Sequence, residues 1–236
     1  MFKWDNLIEY KGIKLLDGRS SRPCSHEPIG SHDYEYDMFM SILEHIDRSN
    51  PTMIELGSYW AFWSLCFRKK FPEGKNILVE LGKRQLSIGR KNFELNGFNE
   101  THYWGGLHID NSNVYEPSVR ESNYNYANHG GYWDTSLVGK MTGPEIAFED
   151  IYSIEGLDVI DLLHVDIQGS EYPLIVNLHA HHPEILNKIQ NIIIATHSPS
   201  IQRNLLQILV ESGMKILKNE PFGTIGGDGM IALTRN

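Results

Sequence analysis

An α/β fold, with a parallel sheet covered by helices on both faces, is predicted by three observations. Short apolar runs alternate with helix-compatible stretches from about residue 50 onward, which is the rhythm of repeated βα units. The first run, Met53-Ile54-Glu55-Leu56, stops at Gly57, and a helical stretch from Trp60 to Phe71 follows. A strand, a tight glycine turn and a helix open a nucleotide-type, Rossmann-like fold. There the helix N-terminus and the loop face a ligand across the carboxyl ends of the strands. Finally, 236 residues with 41% hydrophobic content suffice for one sizeable core. A single domain over 1–236 is expected, with its core in 33–236.

The elements follow in order. Residues 1–32 carry Gly12, Gly18, Pro23, Pro28 and Gly30 and show no clear periodicity. They read as an N-terminal extension or as a cap, to which Arg19, Ser20, Arg22 and His26 would bring polar contacts. Cys24 and His26 form no zinc signature, because no second pair has suitable spacing. A helix is predicted over Asp33 to Ser49, where Met38, Phe39, Ile42, Leu43 and Ile46 make one buried face before Pro51. Then come strand 52–57, helix 60–71 stopped by Pro72 and Gly74, strand 76–81, helix 83–96 stopped by Gly97, and a short strand near 101–104.

Between 105 and 148 the rhythm breaks into Asn, Tyr, Gly and Ser, read as an insertion on the substrate side or as a surface loop. Strand 159–166 then ends at Asp166, and Gly169-Ser170 opens a helix with Ser170 as N-cap and Pro173 in its first turn. Strand 191–196 ends at His197-Ser198-Pro199. Helix 200–212, strand 214–218 and a final strand 230–234 complete the chain. His179, His181 and His182 read as a solvated helix end, where cations suit the dipole.

What the glycine turn lacks narrows the ligand. Dinucleotide sites use G-x-G-x-x-G so that the backbone can approach a pyrophosphate. Here Gly57 is followed by Ser58, Tyr59, Trp60 and Ala61, and no Gly-Lys-Ser/Thr phosphate loop occurs anywhere. An acid two residues before one glycine suits a ligand with an adenosine and a charged amino-acid tail but no phosphate.

At these residues the sequence resembles class I S-adenosylmethionine-dependent methyltransferases, and among them the FkbM family. The stretch Glu55-Leu56-Gly57-Ser58-Tyr59-Trp60-Ala61-Phe62-Trp63-Ser64 is similar to the family's first motif, with Ala61 in place of its last glycine. The strand Ile77-Leu78-Val79-Glu80 ends in an acid about 25 residues after Glu55, near where such folds hold a ribose. Asn92 and Asn96-Gly97 resemble an N-x-x-x-N-G motif. Asp161-Leu162-Leu163-His164-Val165-Asp166-Ile167-Gln168-Gly169-Ser170-Glu171 resembles the family's block IDLLKIDVEGAE, with His164 for Lys and Gln168 for Glu.

The resemblance implies a seven-stranded sheet with its last strand antiparallel, and S-adenosyl-L-methionine as cofactor. It implies that Glu55, Gly57, Ser58 and Tyr59 surround the methionine end and that Glu80, with Leu81, meets the ribose. Asp110 would take the acidic position after the third strand. Gln168 and Glu171 are the candidate substrate-binding residues.

His197 and Asp166 are the candidate catalytic residues, since they end two strands that this topology makes neighbours. An imidazole titrating near neutrality suits removal of a hydroxyl proton, and a histidine that orients a loop is the alternative. Two ligands do not define a metal site, so no metal is assigned, although a divalent ion stays open. His164, on a buried strand, reads as a core histidine.

The expected reaction is O-methylation of a hydroxyl on a sugar, glycan or secondary metabolite. N-methylation of a small amine or peptide, and an inactive cofactor-binding module, are the alternatives. A formal net charge of −9 disfavours nucleic acid and anionic membranes as partners. No apolar run approaches a membrane span, and two cysteines make no disulfide framework, so the cytoplasm is expected.

Overall fold

The structure, a computed structural model, describes residues 6–17, 29–108, 144–225 and 228–235. Two strands come first, β1 (Asn6–Tyr10) and β2 (Ile13–Asp17), then helix α1 (Ile29–Leu43). The first βα units are β3 (Thr52–Leu56) with α2 (Phe62–Lys70) and β4 (Lys75–Glu80) with α3 (Lys83–Asn96), followed by β5 (Thr101–Trp104). Short strands β6 (Gly106–His108) and β7 (Glu145–Ala147) lead into α4 (Phe148–Ile154). The second half holds β8 (Leu162–Val165), α5 (Glu171–His181), α6 (Pro183–Leu186), β9 (Asn191–Thr196), α7 (Pro199–Glu211), β10 (Lys215–Ile225) and β11 (Asp228–Thr234).

Seven strands form one sheet in the order β10-β11-β9-β8-β3-β4-β5. Strands β3, β4, β5, β8 and β9 run parallel, and β11 is antiparallel to both β9 and β10. The predicted doubly wound sheet with an antiparallel last strand is therefore found. Chain direction reverses its order of addition between β3 and β8, the switch point at which ligands of open α/β sheets bind.

Side chains alternate along each strand, so two cores form. Ile54, Leu56, Ile77, Val79, Leu163 and Val165 pack with α5 and α7 residues such as Leu174, Leu178, Ile201 and Leu205. Met53, Leu78, Leu162 and Ile193 pack on the opposite side with Phe39, Leu43, Leu65, Phe67 and Phe93. Burial on both faces explains why these strands read as continuous apolar runs. The same alternation turns Glu55 and His164, register partners on β3 and β8, toward the second core.

Helix α1 differs from the expectation of 33–49, beginning four residues earlier and ending at Leu43. Its exit tightens into i→i−3 bonds, Glu44 N–H to Ser41 O, His45 to Ile42 and Ile46 to Leu43. Ile46 thus stays buried without remaining helical.

Part of the N-terminal stretch is ordered as a β1–β2 hairpin. Asn92 Oδ1 accepts from Leu16 N–H at 2.7 Å, and Asn96 accepts from Lys14 N–H at 3.0 Å and donates to Lys14 O at 2.7 Å. One helix edge thus satisfies a strand edge, and Ile13 and Leu15 are buried beneath it. Arg19, Ser20, Arg22, Cys24 and His26 lie outside the described residues.

The ends of the insertion meet in the parallel β6–β7 pair, and Gly105 N–H bonds Glu80 O at 3.1 Å. Its interior, including Asp110, lies outside the described residues.

Candidate active site

The loops after β3, β4, β8 and β9 open on one edge of the sheet. Because β11 runs the other way, it begins where its neighbours end and brings Asp228 to the same edge. Among the described residues, four non-glycines have positive φ. Three of them lie on these loops: Tyr59 at 46°, Ala61 at 64° and Gln168 at 56°. Such conformations cost roughly 1–3 kcal/mol each and gather where a loop serves a ligand.

The glycine turn is set by its neighbour. Gly57 has φ 79°, and a Cβ there would lie 1.8 Å from Asp166 O, so only glycine lets the β3 and β8 loops touch. Gly57 and Ser58 N–H groups both donate to Val79 O, at 2.9 and 3.1 Å, and Tyr59 N–H donates to Glu80 Oε2 at 2.8 Å. A loop whose amides are committed to β4 has none of these three to offer a phosphate. Tyr59 stacks on Trp60 with centroids 4.7 Å apart, and Asn92 Nδ2 holds Trp60 O at 3.0 Å.

Glu80 ends β4 beside this turn. Its other oxygen accepts from Gly82 N–H at 2.7 Å, and burial pushes its pKa up against the pull of the Gly82 and Tyr59 amides. Leu81 O accepts from Trp104 Nε1 at 3.0 Å, and Lys83 Nζ sits 3.8 Å above the Trp104 ring.

Glu55 is turned inward. It is buried, and one oxygen accepts from both Ser64 N–H, at 3.2 Å, and the Ser64 hydroxyl. Its other oxygen lies 4.0 Å from His164 Nδ1, which has no hydrogen-bond partner among the described residues. Burial raises the Glu55 pKa to about 8 and lowers that of His164 to about 4. His164 packs between Phe39 and Trp63, in the core as read from the sequence.

The second cluster sits at the crevice. His197 Nδ1 is 2.9 Å from Glu171 Oε1, and His197 Nε2 is 3.4 Å from Asp166 Oδ1 and 3.8 Å from Asp228 Oδ2. Glu171 is fully buried. Besides His197, it takes the N–H groups of Ile167 at 3.0 Å and Gly169 at 2.9 Å, closing the strand-to-helix turn. Ser170 holds the N-cap position of α5 without a side-chain bond, and Glu171 braces the turn that precedes it rather than the helix's own first amides. Gln168 Nε2 donates to Asp166 Oδ1 at 2.7 Å.

Burial opposes charge on His197, but Glu171 and Asp166 outweigh it and hold its pKa well above the ordinary value. Burial likewise works to raise Asp166, and the bond and charge of His197 hold it below the ordinary carboxylate value. The pair is ionic.

Sequence reading thus named Asp166, Gln168, Glu171 and His197, which the fold brings together, and Gly57, Ser58, Tyr59 and Glu80, which it gathers across the switch point. Glu55 lies beneath that loop. Asp228 was missed. Its signal is an acid among glycines, Gly226-Gly227-Asp228-Gly229, just before a strand that enters the sheet backwards. The three histidines near the end of α5 stay apart from this cluster. His179 and His181 are exposed, and His182 lies 3.6 Å from both Glu149 and Glu184.

Comparison with known proteins adds to this geometry. No protein-family model matches the chain. The MTase domain of METTL16 superposes with a TM-score of 0.56 at 9% identity, over 90% of this chain and 71% of that one. The chain shares the fold of that domain. TrmK of M. capricolum, in complex with S-adenosyl-homocysteine, superposes with a TM-score of 0.48 at 14% identity, over 84% of this chain and 68% of that one. In sequence, the chain is similar to the methyltransferase sdnD of Sordaria araneosa, with 23% identity over 191 residues, 69% of this chain and 73% of the relative. Among the described residues, no helix is long and apolar enough to cross a membrane.

Proposed function

We propose that this protein is an S-adenosylmethionine-dependent methyltransferase of the FkbM kind. In this reading it works in the cytoplasm on a hydroxyl of a sugar, glycan or secondary metabolite. One observation carries the reading: a strained glycine turn with its amides committed to β4, and an acid ending the next strand, flank the switch point of a methyltransferase fold. The sequence similarity to sdnD, itself described as a methyltransferase, supports it.

S-adenosylmethionine supplies the electrophilic methyl group when bound. Glu80 is offered to the ribose hydroxyls, since a carboxylate has about four acceptor sites and the two amides fill two. The Tyr59–Trp60 stack and the Gly57 turn shape the adjoining wall. Displacement at a methyl group needs mainly alignment of donor and acceptor. His197, its ring fixed through Nδ1 by Glu171, stands with Asp166 where an acceptor proton would leave. Because these carboxylates hold the imidazole protonated, His197 can take up that proton only in the fraction of molecules whose ring has first lost its own, so a base role predicts activity that rises with pH.

Titration of the purified chain with S-adenosylhomocysteine tests the cofactor. Micromolar binding is expected, and Glu80→Ala should weaken it roughly tenfold to a hundredfold, the worth of a charge-assisted hydrogen bond. Absence of binding by the unaltered chain would leave only the fold. N-methylation of a small amine is the second reading, favoured by the partly exposed carboxylates of Asp166 and Asp228 beside His197. A panel of hydroxyl and amine acceptors with labelled cofactor decides between them.

A further inference from the structure

We propose that Asp166 is the catalytic residue that meets the methyl acceptor and takes its proton, while His197 is a buried positioning residue that holds this carboxylate at the crevice. The inference rests on the methyltransferase reading of the site. What separates the two groups is access. The His197 side chain is 0% exposed and the Asp166 side chain 38%. An acceptor entering the crevice can therefore touch the carboxylate but not the ring. Both side-chain contacts of that carboxylate fall on Oδ1, from Gln168 Nε2 at 2.7 Å and His197 Nε2 at 3.4 Å. Oδ2 keeps its acceptor capacity, since a carboxylate has about four acceptor sites.

The surroundings of the ring suit a brace better than a base. Nδ1 lies 2.9 Å from Glu171, whose buried carboxylate also takes the Ile167 and Gly169 amides. Those amides belong to the turn that leaves β8 directly after Asp166, so the histidine ties the end of β9 to the turn that carries the acid. Gln168 grips the same carboxylate from a left-handed φ of 56°. Such a conformation costs roughly 1–3 kcal/mol and persists where its surroundings over-determine it. A general base has to lie within hydrogen-bond reach of the proton it takes. Of this pair, only Asp166 is open to an entering molecule.

Charge points the same way. His197 faces Asp166 from β9, and His164 acts on it along its own strand. Asp228 on β11 stands 3.8 Å from the same ring nitrogen, and Glu55 on β3 and Glu80 on β4 feel the Asp166 charge. His197 outweighs burial and keeps the acid ionised, so Asp166 needs no prior proton loss before it can act. In the transfer, Asp166 takes the acceptor's O–H proton on a carboxylate lone pair as that oxygen bonds the methyl carbon. The electron pair of the broken C–S bond stays on sulfur. An oxygen gaining a methyl group becomes strongly acidic, so even a weakly basic carboxylate receives its proton downhill.

The test is an NMR titration of the full chain carrying 15N-histidine and 13C-carboxyl aspartate, assigned through Asp166→Asn and His197→Gln. The His197 ring should stay protonated well above pH 6.5, and a soluble paramagnetic chelate should broaden the Asp166 carboxyl and spare the ring. His197→Gln keeps a donor for Glu171 but loses the cation, which should move the Asp166 titration upward by roughly 1–3 pH units. A ring that loses its proton near pH 6.5, equal broadening of ring and carboxyl, or an unmoved Asp166 titration overturns the assignment. S-adenosylhomocysteine titrated into the same samples tests the underlying reading separately. Absence of binding by the parent chain would sink that reading, and the catalytic role with it, whatever the NMR shows. With a hydroxyl acceptor, transfer by the parent should be level from neutral to alkaline pH and fall in acid. Asp166→Asn should slow it by about 100- to 10,000-fold. Transfer that rises through the alkaline range in step with the ring would return the base role to His197.

Discussion

Two glutamate–histidine pairs, built from the same residue types and almost equally buried, have been driven to opposite charge states. Glu55 and His164 stand 4.0 Å apart with nothing shared between them. Glu171 and His197 stand 2.9 Å apart, and Asp166 flanks the far side of the ring. His164 is 3% exposed and His197 2%, so burial cannot be what separates them. Geometry is. Where contact is lost, desolvation decides, and both members of the first pair go neutral. Where contact and a second carboxylate are present, the Coulomb and hydrogen-bond contributions win and the ring is held as a cation. The first pair belongs to the core beneath the sheet edge. The second belongs to the crevice.

That contrast breaks most visibly at His197. Replacing it with alanine leaves the Glu171 carboxylate buried with backbone amides alone, and should cost about 3 kcal/mol in chemical denaturation. A loss below about 1 kcal/mol would mean that the 2.9 Å contact contributes little.

Glu55→Gln is expected to do the opposite, and only at high pH. The folded chain keeps a proton on Glu55 up to about 8, while the unfolded chain releases it near 4.5. Stability from this group is therefore full at acid pH and falls as pH rises from 4.5 toward 8. The amide cannot ionise, so the variant should exceed the parent by about 4 kcal/mol at pH 8 and by less than about 1 kcal/mol near pH 5. Melts at both pH values read this directly, and a variant less stable at both would show Glu55 to be charged.

A smaller effect is expected at His164. His164→Phe removes an unpartnered nitrogen and keeps an aromatic ring between Phe39 and Trp63. It should gain up to about 1 kcal/mol, since burying an apolar group in place of an orphaned polar one is favourable. A loss of several kcal/mol would show that His164 shares a proton with Glu55 after all.

Ala61→Gly should change least. Glycine relieves the left-handed φ of 64° but gives up a buried methyl that packs near Gly89. The two contributions are each about 1 kcal/mol and opposed, so melting should hardly move.

The βα rhythm was legible because buried parallel strands must be apolar and must end at turn residues. Strand Asn191–Thr196 and helix Lys83–Asn96 fall where the residues said they would. Helix α1 was misplaced because its apolar face continues to Ile46 after the hydrogen bonding has changed. The hairpin was overlooked because its partner is not a strand but the asparagines of α3, which no local pattern reveals. At the site, acids at strand ends were readable from their place beside glycines. What could not be read was which oxygen each acid would spend, and on whom. Glu55 spends its own on Ser64 and Glu171 on the turn before α5, and both facts depend on partners that only the fold supplies.

The place of β11 in the sheet has a consequence for assembly. The last strand in sequence is not at the edge but wedged between β9 and β10, and β10 has no other partner in the sheet. β10 therefore joins this sheet through β11, whose own pairing with β9 is long-range in sequence. Asp228 sits at the turn end of that hairpin, paired with Ile225. The pairing that seats β11 in the sheet is thus also what carries Asp228 to within 3.8 Å of His197, so the crevice is complete only when the C-terminal strand is in register.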